Sequence, residues 1–227
     1  MVVMTDDPND TQLSRLLQHA GHEIRNPFNA VIGYIGMLLK EQAGPISDTQ
    51  RKLLVEAQRA SGRLTGVLDQ VSHLARMERG EEPLKRTTVD LRQAVDEAIA
   101  ALPEPDREVA VEVRSAGQIS LNGDRRRLER ALTAVVFALR RELITNGPLV
   151  VQMGTTGVEA VIAIGDVEEV EALAAAPIAS LSAFEEFRGG CGITLTIARR
   201  IIEQHRGRLH GAGPDKKASA VIRLPLT

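Results

Sequence analysis

The 227-residue chain has few aromatic residues and almost no cysteine. Aromatic side chains make up 2% of the sequence, with no tryptophan, one tyrosine and four phenylalanines. Because hydrophobic residues still account for 43% of the chain, its cores must be built from leucine, isoleucine, valine and alanine, which suits helical bundles. The single cysteine, Cys191, excludes an internal disulfide and a cysteine-based metal cluster, and it is compatible with a reducing cytosol.

Charge and hydropathy argue against two further classes of partner. The formal net charge is -2, so the chain has no basic excess to replace the counterions of a nucleic acid. No apolar run is long enough to cross a bilayer, and the acidic start at residues 5–10 lacks the basic-then-apolar layout of a signal peptide. The sequence therefore predicts a cytoplasmic protein with protein partners, no nucleic acid and no membrane.

The most specific feature is the segment His-Glu-Ile-Arg-Asn-Pro at residues 22–27, which lies inside an amphipathic helical pattern. Neutral imidazole is a good nucleophile near neutral pH, and Glu23 is placed to hold one ring N–H of His22 so that the other nitrogen presents its lone pair. Asn26, one turn on, offers a neutral group that can orient a phosphoryl group or a water. Pro27 predicts a bend in the helix beside this reactive turn. The buried stripe of the helix is formed by Leu13, Leu17, Ala20, Ile24, Val31, Ile35 and Leu38, which excludes His22 from the apolar face.

Together with Phe28, Ile32 and Gly33, this segment resembles the H-box of bacterial two-component histidine kinases. The resemblance implies that His22 carries phosphate to or from an aspartate in the receiver domain of a response regulator, with Glu23 and Asn26 as further catalytic residues and Arg25 helping to dock the receiver. The alternative is an ordinary solvent-exposed histidine on a polar helix face, and His19 is assigned to that class because no acidic residue follows it.

The chain divides into three parts by pattern. Residues 1–10 are expected to be a flexible N-terminus, residues 11–79 a helical hairpin with a break at residues 43–45, and residues 80–227 a second domain. A charged linker at residues 78–87 spans the boundary between the hairpin and the second domain. The second helix of the hairpin has a coiled-coil seam formed by Leu54, Ala57, Ser61, Leu64, Leu68, Val71 and Ala75. Two such helices cannot bury both stripes alone, so the sequence predicts a homodimer with a four-helix bundle; the alternative is a bundle formed within one chain.

The remainder predicts an α+β fold in which helices lie on one side of a mixed sheet. Helices are predicted at residues 89–102, 125–143 and 193–204, and strands at residues 108–113, 119–121, 149–153, 160–164, 208–210 and 218–224. This order resembles the ATPase domain of histidine kinases, gyrase and certain heat-shock chaperones. The expected architecture is therefore a dimeric helical hairpin followed by an α/β sandwich of the histidine-kinase ATPase type.

Several parts of the family's ATP site are missing from the sequence. In the family, asparagines on one helix coordinate magnesium and contact the phosphates, whereas here Ala134 and Phe137 stand where those asparagines would fall. Asp166 remains from the adenine-binding motif, but the glycines that follow it in the family are replaced. The segment between Asp166 and Arg188, where the family has a flexible and often basic lid, contains five glutamates with no lysine or arginine. Residues 172–181 are predicted to form a packed helix or compact loop.

The glycine-rich turn at residues 189–192 does persist. Gly190 and Gly192, with Asp166, are vestigial candidates for holding a nucleotide, because glycines before a helix can cradle a phosphate. The alternative, which we favour, is that these glycines only turn the chain into the next helix. Phe184 and Phe187 resemble another conserved box of the family and are expected to lie in the core.

Three functions follow from this resemblance. The favoured one is a dimeric histidine phosphotransferase or pseudokinase that passes phosphate between His22 and receiver-domain aspartates, with no cofactor and no metal expected. The first alternative is an active sensor-histidine-kinase core with divergent boxes, in which Asp166, Gly190 and Gly192 still hold Mg-ATP. The second is a non-catalytic dimeric adaptor that sequesters a response regulator.

Overall fold

The computed structural model describes residues 8–102, 109–115, 117–143, 147–187, 192–212 and 218–226, while the side chains of residues 8–20 and of His22 lie outside that description. The chain forms two compact units, Met1–Pro83 and Leu84–Thr227. Among the described residues, no helix is both long and apolar enough to pass through a bilayer.

The first unit is a hairpin of two long helices, α1 (Pro8–Leu39) and α2 (Asp48–Glu78). Helix α1 runs through Pro27, and Gly44 adopts a left-handed φ of +113° in the turn that follows it. Ser47 caps α2: its hydroxyl accepts from the Gln50 N–H at 3.3 Å, while its own N–H donates to Gln50 Oε1 at 2.8 Å. This reciprocal capping box satisfies two amide groups at the helix start, and the predicted helical hairpin is confirmed.

The coiled-coil seam of α2 is only partly buried. Ser61, Leu68 and Ala75, which are seven residues apart, are buried, whereas Leu64 on the alternate positions stays 44% exposed. The two helices pack against each other along the hairpin. Residues seven positions apart lie on one side of a helix, so the buried residues form one stripe that faces the other helix of the hairpin. The exposed apolar residues of α2, such as Leu64, form a second stripe.

Where the structure describes it, the second unit contains two sheets and four α-helices. Its elements are β1 (Thr87–Asp90), α3 (Leu91–Ala100), β2 (Val111–Ser115), β3 (Ser120–Gly123), α4 (Arg125–Glu142), β4 (Leu149–Thr156), β5 (Glu159–Asp166), α5 (Val170–Ala175), a 3₁₀ turn (Ile178–Ser180), β6 (Ser182–Ala183), α6 (Thr194–Gln204), β7 (Arg208–Gly211) and β8 (Ala220–Pro225). The described strands of the main sheet have the order β2-β4-β5-β8-β7-β6; β2 and β4 pair in parallel and the other neighbouring pairs are antiparallel. Strand β1 pairs separately with β3.

Helices cover both faces of the main sheet, as is expected for central strands that carry apolar side chains on both sides. On one face, Ile162 pairs with Ile222, and α6 packs nearby: a Cβ added at Gly207 would touch both Ile202 of α6 and Leu224 of β8. The opposite face, here called the outer face, carries α5. Its buried cluster contains Val150, Val161, Ala163, Val170, Leu173 and Val221.

The fold class predicted from the sequence, N-terminal helices followed by an α/β sandwich, is confirmed. The predicted helices over 125–143 and 193–204 agree with α4 and α6 to within one residue at each end. The helix predicted from residue 89 instead begins at Leu91, because residues 87–90 form β1 and Asp90 caps α3 by accepting from the Gln93 N–H at 3.2 Å. The strand predicted over 108–113 is shifted, since β2 begins at Val111.

Candidate functional site

His22 lies in the middle of α1, with helical backbone on both sides. Its side chain, like that of His19, is outside the described residues. The neighbouring side chains Glu23 and Asn26 are exposed, so both lie on the solvent side of the hairpin. In a helix, residues three and four apart are neighbours, so Asn26 lies on the same side of α1 as His22. Among the described side chains of this turn, Arg25 is the one cation.

Arg25 is engaged by the second helix. Its guanidinium donates from Nη2 to Asp69 Oδ1 at 2.7 Å, and the two residues are 44 positions apart in sequence. The Arg25 side chain is 28% exposed and the Asp69 side chain 63% exposed. Arg25 was expected from the sequence to help dock a receiver, and in this structure its charge is already paired within the hairpin.

A second contact fixes the same turn against α2. Gly21, directly before His22, is buried, and a Cβ at this position would lie 3.2 Å from Ser72 Oγ. The Ser72 hydroxyl donates to the Leu68 carbonyl at 2.9 Å, so it is held in place. The absence of a side chain at Gly21 therefore lets α1 approach α2 closely where the candidate nucleophile sits.

Large apolar side chains remain uncovered along the hairpin. Among the side chains that the structure describes, five are on α1 and three on α2, and each is at least 36% exposed: Ile24, Val31, Tyr34, Met37, Leu38, Leu53, Leu64 and Val67. Isolated exposed hydrophobics need no explanation, but a row of them at helical spacing marks an interaction surface.

Helix α4 carries no magnesium ligand at Ala134 and Phe137, the two positions singled out from the sequence. Ala134 is 6% exposed, and the half-buried ring of Phe137 carries the Arg141 guanidinium 5.6 Å from its centroid. The sequence of α4 contains no asparagine or aspartate at any position. One of its two glutamates, Glu129, is paired with Arg125 at 2.7 Å. Among the described residues there is also no group of three or more histidine, cysteine, aspartate or glutamate side chains arranged to hold a metal ion.

The chain after Asp166 is packed against the sheet. Asp166 ends β5, and its Oδ1 accepts from the Glu168 N–H at 3.0 Å in a tight turn. Helix α5 then folds onto the outer face, where Val170 is 0% and Leu173 4% exposed. A Cβ on Gly165 would lie 3.1 Å from Leu173 Cδ1, so this glycine makes room for the helix. The packed segment predicted for this region is confirmed.

The two phenylalanines expected in the core behave differently. Phe184 is buried, as predicted, with 4% of its surface exposed. The prediction for Phe187 was wrong, because its ring is 79% exposed: the chain leaves the edge strand β6 after Ala183, and only the first of the two rings reaches the core. Gly190 lies outside the described residues, while Gly192 has a left-handed φ of +56° two residues before α6. That conformation favours glycine whether or not a phosphate binds there, so it does not distinguish the turn interpretation from the nucleotide-binding one.

A buried histidine that sequence reasoning missed lies in the second unit. His205 ends α6; its Nε2 accepts from the Asp124 N–H at 2.8 Å, and its Nδ1 lies 2.7 Å from the Ile201 carbonyl. These two contacts require the neutral tautomer that carries the proton on Nδ1. Burial lowers the pKa of His205 below its ordinary value of 6.5. Its partner Asp124 caps α4, so His205 connects the end of α6 to the start of α4.

Neither His205 nor Asp69 could be singled out from the sequence. Their partners lie 81 and 44 positions away, and neither residue belongs to a recognisable motif.

Comparison with known proteins gives a consistent result. Residues 12–80 match the family model described as the His Kinase A (phospho-acceptor) domain. Across 94% of its length the chain is 26% identical to histidine protein kinase DivJ of Caulobacter vibrioides, and it covers 37% of that protein. It is also 26% identical to the cell-division control histidine kinase PdhS of Brucella ovis, with 87% of this chain and 21% of the relative covered. The chain thus spans well under half the length of these relatives.

Solved structures show the same fold. Full-length ShkA in complex with AMPPNP has a TM-score of 0.69 at 18% identity, with 94% of this chain and 46% of that chain covered. Histidine kinase ThkA in complex with response regulator protein TrrA has a TM-score of 0.58 at 19% identity, with 94% and 61% covered.

Proposed function

We propose a function from one premise: the chain is a two-component histidine kinase core whose residues 12–80 belong to the His Kinase A (phospho-acceptor) domain family. The proposed function is that of a phosphorelay histidine phosphotransferase, in which His22 accepts a phosphoryl group from one receiver-domain aspartate and passes it to another. The observation that carries this proposal is the combination of a complete His-Glu-x-x-Asn-Pro segment with an α4 helix that offers no magnesium ligand at the expected positions.

In the proposed transfer, the lone pair of one His22 ring nitrogen attacks phosphorus. The phosphorus–nitrogen bond forms while the phosphorus–oxygen bond to the receiver aspartate breaks, and that carboxylate leaves with the bonding electrons. Glu23 holds the proton on the other ring nitrogen and so offsets the positive charge that the imidazole develops. Asn26 orients the phosphoryl oxygens without adding charge. The reverse transfer follows the same path.

The residues at the family's nucleotide position do not fit Mg-ATP, and no step of the proposal passes through it. Magnesium requires hard oxygen ligands in a tight octahedron, and Ala134 and Phe137 supply none. The Asp166 carboxylate already accepts a hydrogen bond from its own turn. Carboxylates in the following segment add like charge to the approach of a triphosphate. These observations support the proposal that ATP binding is lost.

The proposed partner is the receiver domain of a response regulator. The solved complex of ThkA with TrrA is a case in which a protein of the same fold assembles with a response regulator. The exposed turn around Glu23 and Asn26 leaves room for such a domain to reach His22.

A second copy of the chain is the other proposed partner. The apolar row on α1 and α2 is too long for a two-helix hairpin to cover, and a symmetric pair of hairpins buries both rows in a four-helix bundle.

An active kinase core is the second candidate, and the names of the relatives favour it. DivJ and PdhS are both histidine kinases, and ShkA was solved with AMPPNP bound. In this case Asp166 and Gly192, with Gly190 outside the described residues, would still grip a nucleotide despite the changes in α4.

The two functions differ in the source of phosphate. The test incubates the purified chain with radiolabelled Mg-ATP alone, and separately with a receiver domain that carries labelled phosphate. Label from the receiver only, lost in His22→Ala, supports the phosphotransferase. Label from ATP alone supports the kinase and overturns the proposal. Binding of the receiver without labelling from either donor would leave a non-catalytic adaptor and would also overturn it.

A further inference from the structure

The ion pair between Arg25 and Asp69 involves a cation beside the candidate phospho-acceptor. Arg25 follows His22 by three residues on α1, which places their Cβ atoms roughly 5–6 Å apart on neighbouring positions of the helix surface. Asp69 reaches across from α2 to hold the guanidinium at 2.7 Å. The carboxylate is 63% exposed, so it can separate from Arg25 without leaving a buried charge.

The stability of the hairpin does not explain this pair. Exposed ion pairs contribute little to folding, because water screens both charges and two long side chains lose freedom. The close packing of Gly21 on Ser72 already fixes the same turn of α1 against α2. The ion pair is therefore free to serve another purpose.

A phosphoryl group brought to His22 is a stronger ligand for Arg25 than Asp69 is. A phosphoryl group carries about two negative charges near neutral pH and three acceptor oxygens, whereas a carboxylate carries one charge and two oxygens. Guanidinium binds phosphate in a bidentate manner that matches its planar fork. A phosphoryl group at His22 and the Asp69 carboxylate thus compete for one cation.

We propose that Asp69 is a positioning residue that competes with the incoming phosphoryl group for the Arg25 guanidinium, and so weakens binding of the phosphorylated receiver and promotes its release. This inference rests on the proposed phosphotransfer at His22. While no receiver is bound, Asp69 holds Arg25. When the receiver's phosphoryl group arrives, Arg25 exchanges one anion for the other, and the original pair re-forms once His22 has passed the phosphoryl group on.

The test uses a receiver domain that is phosphorylated with acetyl phosphate and that labels the wild-type chain. It measures the kinetics of phosphoryl transfer and the affinity of this receiver for the chain. Asp69→Asn is expected to lower the KM for this phosphorylated receiver by about threefold, the factor that an exposed ion pair is commonly worth. Affinity for the same receiver without phosphate should stay unchanged. Arg25→Gln should raise the KM, and adding Asp69→Asn to Arg25→Gln should have no further effect, because Asp69 acts only through Arg25.

The matched control is Glu56→Gln. Glu56 pairs with Arg59 at 2.7 Å on α2 and is also exposed, so this variant removes an equivalent carboxylate from a different part of the hairpin. It should change neither the KM nor the affinity. Circular dichroism melting curves confirm that each variant folds.

Three results would overturn the inference. An unchanged KM in Asp69→Asn, with the wild type still labelled at His22, refutes it and leaves the phosphotransferase intact. A fall in KM that persists in the Arg25→Gln background shows general charge repulsion of the receiver rather than competition for Arg25. Failure of every tested receiver to label the wild type refutes the proposed function, and the inference falls with it.

Discussion

Truncation of Leu64 tests whether the uncovered apolar row of the hairpin is a dimer interface. Leu64 is 44% exposed on the face of α2 that does not form the buried heptad seam. Burying a whole leucine side chain stabilises a protein by about 1.5–3 kcal/mol, so covering the exposed part of Leu64 contributes about 1 kcal/mol per protomer. Both copies carry the residue in a symmetric dimer, so Leu64→Ala should cost about 2 kcal/mol, equivalent to a roughly 30-fold increase in the dimer Kd.

Sedimentation velocity over a concentration series measures this Kd directly. The matched control is Val158→Ala, because Val158 is 74% exposed but lies in the turn between β4 and β5. The control should leave the Kd unchanged. An unchanged Kd for Leu64→Ala, or a wild-type chain that stays monomeric at high micromolar concentration, would show that the row is not a dimer interface.

Three further predictions concern the second unit. Burial lowers the pKa of His205 in the folded state below 6.5, so as the pH falls the unfolded state binds a proton at His205 more readily than the folded state does. The contribution of His205 to the free energy of unfolding is therefore complete above about pH 6.5 and decreases below that pH. Urea unfolding at pH 7.5 and 5.5 should show a smaller pH dependence in His205→Gln than in the wild type, and an equal dependence would contradict this. Gly207→Ala should destabilise strongly in the same assay, because a Cβ there would lie 2.5 Å from the Arg223 carbonyl oxygen; a wild-type midpoint would show that the turn adapts. Leu173→Ala should cost about 2–5 kcal/mol by leaving a cavity under α5, and a thermal midpoint shift of less than two degrees would show that α5 is not packed as described.

Periodicity was sufficient to predict the long elements. The two hairpin helices, α4 and α6 each have an apolar stripe at helical spacing. The fold buries the stripes of α4 and α6, whereas Ile24 and Val31 of α1 and Leu64 of α2 stay exposed. The short elements were missed or misplaced because their formation depends on distant partners. Strand β1 exists through its pairing with β3, about thirty residues away in sequence, and the two-residue β6 exists only through β7. No local pattern distinguishes residues 87–90 from the start of a helix.

The chemistry-bearing residues show the same limit. Local spacing predicted His22, Glu23 and Asn26 as site residues because the role proposed for each depends on one turn of helix. The ion pair of Arg25 with Asp69 and the hydrogen bonds of His205 join residues that only tertiary packing brings together. Phe187 was assigned to the core by its type, but the chain geometry after β6 exposes it. The sequence thus indicated candidate residues for the proposed reaction, and the structure added contacts between residues that are distant in sequence.

The central claim is that His22 receives phosphate from a receiver domain and not from ATP. Intact-mass analysis with fragment localisation tests it most directly, after separate incubation of the chain with Mg-ATP and with a phosphorylated receiver. The account predicts one added phosphoryl group, located on His22, with the receiver as donor and none with Mg-ATP. A phosphoryl group on His22 from Mg-ATP alone, or its absence with every phosphorylated receiver, would contradict the account.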